Sequence, residues 1–252
     1  MNRAGKYLIE CLYPNKCAAC GEILGDESVL CEYCKSCINQ IDYKNWCSKC
    51  GQSKDVCRCN SREFRFLGVT AAYINEGAAK KAYYSYKFGR RKELGPFFAE
   101  KTANAVRTVF GNMEFDALMC VPNTKRSLLR RGFDHGNSIA LLLSKKLDLP
   151  YVRGVLRVRA FRKPQHKSEF VKRLENVRGK YYTVKSLNLN RVLLFDDIFT
   201  TGSTLDECAK ELMFAGVREV YCASVLSVRL RKRPAEPAVK VDSVIQDKTQ
   251  EI

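Results

Sequence analysis

The segment Val192-Leu193-Leu194-Phe195-Asp196-Asp197-Ile198-Phe199-Thr200-Thr201-Gly202-Ser203-Thr204 carries the sharpest chemistry in the 252-residue chain. Four apolar residues read as the end of a buried strand. Two carboxylates follow at once, and hydroxyls with one glycine lead into a helix. In an open parallel sheet, ligands bind beyond the carboxyl ends of the strands. A helix N-terminus offers unpaired N–H groups and the positive end of a dipole, which together hold a phosphate. Gly202 admits a positive φ and a close backbone approach. Thr200, Thr201, Ser203 and Thr204 add hydroxyls. Asp196 and Asp197 would repel a bare phosphate, but they suit the hydroxyls of a ribose as acceptors. The pattern therefore asks for a ligand with a phosphate and a vicinal diol about one sugar apart. A plain N-cap by Ser203 or Thr204 after two surface aspartates is the simpler alternative. It leaves the coincidence of paired carboxylates and hydroxyl-rich turn unexplained.

The second chemical signal is cysteine. Ten of the 13 cysteines lie between Cys11 and Cys59, spaced as Cys17-x2-Cys20, Cys31-x2-Cys34-x2-Cys37, Cys47-x2-Cys50 and Cys57-x-Cys59. A Cys-x2-Cys pair on a tight turn aims two sulfurs at one point, so two pairs complete a tetrahedral zinc site. Gly21 and Gly51 follow two of the pairs and suit the turn. A disulfide framework needs an oxidising compartment, and no apolar run long enough for an export signal follows the N-terminus. The assignment is Cys17, Cys20, Cys31 and Cys34 for one zinc, and Cys47, Cys50, Cys57 and Cys59 for a second. Cys37 could replace Cys31 or Cys34, the last pair is one residue short, and interleaved pairing stays open. One or two structural zinc ions are expected, since four thiolates leave no position open for catalysis. Cys120, Cys208 and Cys222 read as small buried hydrophobes.

Elements must position these groups. Residues 66–74, 115–121, 152–158, 181–184, 192–195 and 220–228 read as strands, and 78–88, 94–110 and 203–215 as helices. Residues 126–147 are basic and then helical from Ser138, and 162–180 are polar with a short helix at 169–176. Apolar strands separated by helices imply an α/β fold, a mostly parallel sheet with helices on both faces, behind a small Cys-rich unit. The expected organisation is an N-terminal helix and double zinc ribbon over 1–60, an α/β domain over 61–230 and a disordered tail over 231–252. Chelation is then expected to unfold 17–59 and spare the sheet.

The formal charge is +17, and residues 121–180 hold 16 basic against 4 acidic side chains. Such a block attracts phosphate, nucleic acid or an anionic surface. No stretch reaches the roughly 18 apolar residues of a membrane span, and a cytoplasmic location is expected. Rings lie among cations at Tyr83-Tyr84-x-Tyr86-Lys87-Phe88, which fits either base stacking on single-stranded nucleic acid or the buried face of a helix. His135 and His166 are the only histidines. His135 sits in a candidate mobile loop, where it could shuttle a proton or be a plain surface residue.

The 192–204 segment closely resembles the phosphoribosyl diphosphate (PRPP) loop. Taken with the paired cysteines, Lys87-Phe88-Gly89-Arg90-Arg91, Val121-Pro122, Arg130-Arg131-Gly132-Phe133 and Gln165 followed by Arg173-x2-Asn176, the chain resembles the ComF family. These are phosphoribosyltransferase-like proteins with an N-terminal double zinc ribbon, linked in many bacteria to competence for DNA uptake. The resemblance implies a five-stranded phosphoribosyltransferase-type core, and Mg2+ with PRPP as ligand. It assigns Asp196, Asp197 and Lys87 as catalytic groups, and residues 196–197 and 200–204 as the PRPP contacts. Lys87 would lie on the pyrophosphate side with Arg90 and Arg91 as neighbours. Lys87 also reads as a helix C-terminal cation. Arg126, Arg130 and Arg131 follow the 115–121 strand and are expected to contact diphosphate or a nucleic-acid backbone. Asp134-His135 replaces the family's usual Asn-Gln.

Two functions fit. One is a PRPP-binding protein acting in DNA uptake, contacting single-stranded DNA and competence proteins. The other is a Mg2+-dependent transferase moving phosphoribosyl from PRPP to an unidentified acceptor. Fold alone does not separate them.

Overall fold

The computed structural model describes residues 14–38, 40–57, 59, 63–89, 91–124, 128–129, 132–159 and 179–229. The Cys-rich segment contributes helix α1 (Glu32–Ser36) and the short hairpin β1 (Trp46–Cys47) and β2 (Gln52–Ser53). The rest of the chain contributes β3 (Gly68–Ile74), α2 (Gly77–Phe88), α3 (Leu94–Phe110), β4 (Ala117–Cys120), α4 (His135–Leu147), β5 (Leu156–Val158), β6 (Tyr181–Thr183), β7 (Leu189–Phe199), α5 (Ser203–Phe214) and β8 (Val217–Ser227).

The main sheet has the order β3-β8-β7-β4, and every pairing in it is parallel. Its central strands are buried on both sides. Val192, Leu193, Leu194 and Phe195 are all fully buried, which is why they read as an unbroken apolar run. Leu193 and Phe195 pack with the α2, α3 and α4 side chains, whereas Val192 and Leu194 pack with Leu205, Cys208 and Leu212 of α5. Helices therefore cover both faces.

The expected fifth strand is reduced to a single parallel bridge, Tyr151 to Leu118, on the outer edge of β4. Pro150 explains the brevity. Its carbonyl accepts from Leu118 N, but proline has no N–H with which to extend a ladder. Residues 156–158 pair instead with β6 as an antiparallel ribbon outside the main sheet. The helix expected at 169–176 and the tail after 231 lie outside the described residues.

The opposite edge, β3, is closed by the Cys-rich segment. Trp46 Nε1 donates to Val69 O, Tyr43 Oη donates to Ala71 O, and Gln40 bridges Tyr73. An uncovered β3 would present a row of unpaired backbone groups. Cys17, Ala18, Leu30, Cys31, Cys34 and Ile38 also share a core with Tyr73, Ala79, Tyr83 and Phe98. The two parts of the chain are packed against each other.

Candidate functional site

The site forms where the sheet loses a neighbour. β4 ends at Cys120, paired with Phe195, and Val121 N closes the last contact to Phe195 O. β7 does not stop there. It runs on to Phe199 against Ser227 of β8, so the carboxylates lie within the strand, beyond where 192–195 is expected to end. From Asp196 onward one edge of β7 faces the departing chain after β4 instead of a strand. The gap is a cleft of about 240 Å3, lined by Asp196, Asp197, Thr204, Asn123, Lys180 and Tyr181, among others.

The two carboxylates take different settings. Asp197 binds the Lys87 ammonium of α2 through Oδ2. Asp196 Oδ1 accepts from Asp197 N at 2.8 Å. Burial, and then the charge of Asp197, push the Asp196 carboxyl up to about 8. Lys87 is thus brought to Asp197 as its counter-ion, and it is not among the residues that line the cleft. Among the described residues, the cation lining the cleft is Lys180. Its backbone is held from the α5 side, because Gly179 N donates to Glu207 Oε1 at 2.7 Å. Arg91 turns away: its guanidinium binds Lys16 O, Asn15 Oδ1 and Glu93, near the first cysteine pair. Arg90, Arg126, Arg130, Arg131 and His166 lie outside the described residues.

The turn into α5 is built on rings. Gly202 has φ +76, and a Cβ there would meet Phe64 at 2.8 Å and Phe199 at 3.1 Å. Both conformation and space require glycine. Thr201 and Ser203 hydroxyls lie 2.9 Å apart. Asp206 Oδ1 accepts from Arg65 N at 2.6 Å, which fixes the 64–66 segment beneath the turn. Of the hydroxyls at 200–204, Thr204 is the one that lines the cleft.

Asp134 and His135 form the start of α4. Asp134 caps α4, accepting from Asn137 N at 3.1 Å and from Asn123 Nδ2 at 3.0 Å. An aspartate does this as well as an asparagine. His135 is not on the surface. It is 4% exposed, with its ring 4.8 Å from Phe133 and 5.3 Å from Tyr86. It opens α4 within an aromatic cluster.

The eight paired cysteines gather as two groups of four, Cys17, Cys20, Cys31, Cys34 and Cys47, Cys50, Cys57, Cys59. Cys37 is exposed and outside both. Sulfurs lie 3.7 Å apart at Cys20–Cys31, 3.4 Å at Cys47–Cys59 and 3.6 Å at Cys50–Cys57. A tetrahedral zinc with Zn–S of about 2.3 Å has edges of about 3.8 Å, so both groups could bind zinc. The single-residue spacing of Cys57 and Cys59 is no obstacle, because their sulfurs lie 3.4 Å apart.

Sequence reasoning missed Lys180 and Tyr181. Lys180 ends a polar stretch and Tyr181 opens a short strand, neither with a motif of its own, and the β5–β6 pairing and the Gly179–Glu207 hydrogen bond bring them to the cleft. Cys208 and Cys222 are fully buried hydrophobes, and burial raises both thiols well above the usual range.

A parallel sheet whose third strand carries two carboxylates into a glycine turn at a helix start is the phosphoribosyltransferase-type arrangement, here preceded by two four-cysteine groups. No family model matches the chain. Competence protein F of Haemophilus influenzae is 31% identical over 200 residues, 74% of this chain and 86% of that protein. The chain belongs to that family, ComF. Among solved structures, the glutamine PRPP amidotransferase from B. subtilis is 25% identical, with a TM-score of 0.34 over 53% of this chain. The match spans 25% of the amidotransferase, about a quarter of its length. A purine phosphoribosyltransferase from Pyrococcus horikoshii is 16% identical, with a TM-score of 0.35, 57% of this chain and 94% of that one. No helix among the described residues is long and apolar enough to cross a membrane.

Proposed function

We propose that the chain binds PRPP with Mg2+ in the cleft beside Asp196 and Asp197, and that it acts in DNA uptake, contacting single-stranded DNA. One observation carries the ligand reading: the cleft is bounded by the paired carboxylates, the start of α5 and Lys180 together. The start of α5 suits the 5′-phosphate, the carboxylates suit the ribose hydroxyls, and Lys180 suits the diphosphate. Bound Mg2+ would supply charge neutralisation to the diphosphate. The test is calorimetric titration of PRPP and Mg2+. Saturable binding is expected, weakened about tenfold or more in Lys180→Ala, the scale of one lost charge-assisted hydrogen bond. Absence of binding in the wild type would reject the ligand reading.

The DNA reading draws on the name of the Haemophilus relative, Competence protein F, and on α2. That helix separates its rings. Tyr83 and Tyr86 are buried, whereas Tyr84 is 38% and Phe88 59% exposed. The exposed rings lie 5.6 Å apart, and Lys80 Nζ sits 5.8 Å from the Tyr84 ring. Rings beside cations are what single-stranded nucleic acid stacks on. Binding of a labelled oligo-dT 20-mer is expected to fall about 50-fold between roughly 50 and 200 mM salt if four phosphates are contacted. Tyr84→Ala/Phe88→Ala is expected to weaken binding about tenfold or more without changing that salt slope. An unchanged affinity in this variant would remove the rings from the interface.

A transferase reading has one observation in its favour. A second cleft of about 220 Å3 meets the first at Cys120, Pro122 and Asn123, room for an acceptor. Transfer would break the ribose C1–O bond, with diphosphate taking the electron pair, while the acceptor bonds to C1 and loses its proton to water. Pyrophosphate release on adding acceptors would report it.

A further inference from the structure

Tyr83 of α2 is fully buried. Its ring packs edge-on against Phe98 at 5.3 Å and lies 6.0 Å from Tyr86. Its hydroxyl has no hydrogen-bond partner. Phenylalanine would fill the same space without leaving a buried polar group unsatisfied, a defect that is rare in folded proteins and destabilising where it occurs. An orphaned hydroxyl in an aromatic core therefore asks for a second state in which it is used.

The neighbours say what that state is. The Asp197 carboxylate is the nearest acceptor to the Tyr83 hydroxyl: after burial, its charge, with a weak hydrogen-bond contribution, holds that hydroxyl well above the tyrosine range. Lys87, one helical turn further along α2, has its Nζ 5.9 Å from the Tyr83 ring and is bound to Asp197 Oδ2. One carboxylate thus has two donors at hand: the ammonium is bound to it, and the hydroxyl lies beyond hydrogen-bond distance. An anionic ligand in the cleft competes for that ammonium. If Lys87 moves toward the ligand, Asp197 is left half-buried beside Asp196 with its charge uncompensated, which is strongly unfavourable.

We propose that Tyr83 is the positioning residue for Asp197 in the ligand-bound state: its hydroxyl donates to the carboxylate that Lys87 releases. The exchange rests on the reading of the cleft as a phosphate-ligand site. It keeps Asp197 hydrogen-bonded and aimed at the cleft while the lysine charge goes to the ligand. Tyr86, equally buried, cannot substitute, because its hydroxyl already donates to His135 O at 3.3 Å.

The test combines Tyr83→Phe with Lys87→Ala in a double-mutant cycle. Without ligand, Tyr83→Phe alone is expected to leave the melting temperature unchanged or slightly raised. In the Lys87→Ala background Tyr83 already serves Asp197, and the same substitution is expected to lower it by about 4–8 °C. With Mg2+ and PRPP, Tyr83→Phe is expected to bind about tenfold more weakly than wild type. Loss of affinity without loss of stability is a pattern that a purely structural tyrosine does not give. Equal stability effects in both backgrounds, or wild-type affinity in Tyr83→Phe, would overturn the exchange. If the wild type binds neither PRPP nor inorganic pyrophosphate, the ligand reading falls and the ligand-driven exchange with it. The melting-temperature cycle would still report separately whether Tyr83 can serve Asp197.

Discussion

Asp196→Asn/Asp197→Asn is expected to bind PRPP at least about 100-fold more weakly than wild type at pH 8.5, where both carboxylates can be ionised and two charge-assisted hydrogen bonds of roughly 1.5–3 kcal/mol each are removed. Calorimetry at one fixed Mg2+ concentration checks it, and near-wild-type affinity in the variant would exclude the carboxylates as ribose contacts. The same substitution at 196 acts oppositely on the free protein. The folded-state carboxyl of Asp196 is pushed up to about 8 by burial and by Asp197, whereas an unfolded aspartate titrates near 3.9. Between these values the folded chain holds more protons than the unfolded chain. Its stability therefore falls as pH rises through the window from about 4 to about 8. Asp196→Asn removes that penalty. Its melting temperature is expected to exceed that of wild type near pH 8.5 and to match it near pH 4. A carboxylate held at the expense of stability is what the stability–function trade-off predicts for a binding group.

Removing zinc is expected to unfold the whole chain and not the Cys-rich segment alone. Zinc bound by four thiolates contributes on the order of 10 kcal/mol to folding, comparable to the entire stability of a typical domain. The sequence predicts a separable unit over 1–60. In the structure, Cys17, Cys31, Cys34 and Ile38 lie in one core with α2 and β3, and Ile41 and Trp46 pack on Ala71 and Ile74. Loss of the metal would strip the β3 edge of its partners at Val69, Ala71 and Tyr73. With a chelator present, near- and far-ultraviolet circular dichroism should be lost together, with release of two zinc ions per chain. A folded sheet persisting after both ions leave would establish two independent units.

Sequence alone determined what depends on local spacing and periodicity. Helix α3 is expected and found at 94–110, because its apolar residues repeat at helical spacing and Gly111 ends it at φ +60. The strand before Asp196 was legible because a strand buried on both faces is a continuous apolar run. The four-cysteine groups were legible because a knuckle is a local turn, and Gly202 because a left-handed turn before a helix admits little else. Contacts between distant segments were decided only by the fold. Nothing local to Lys87 says that it pairs with a carboxylate 110 positions away. Nothing local to residue 180 says that an antiparallel ribbon swings it over the cleft. Among the rings of α2, packing of Phe98, Phe133 and His135 against one face separates Tyr83 and Tyr86 from Tyr84 and Phe88. His135 is buried for the same reason: the hydrophobic environment of a side chain is set by which surfaces meet in three dimensions, and a linear pattern records that only where one face is repeated at regular intervals.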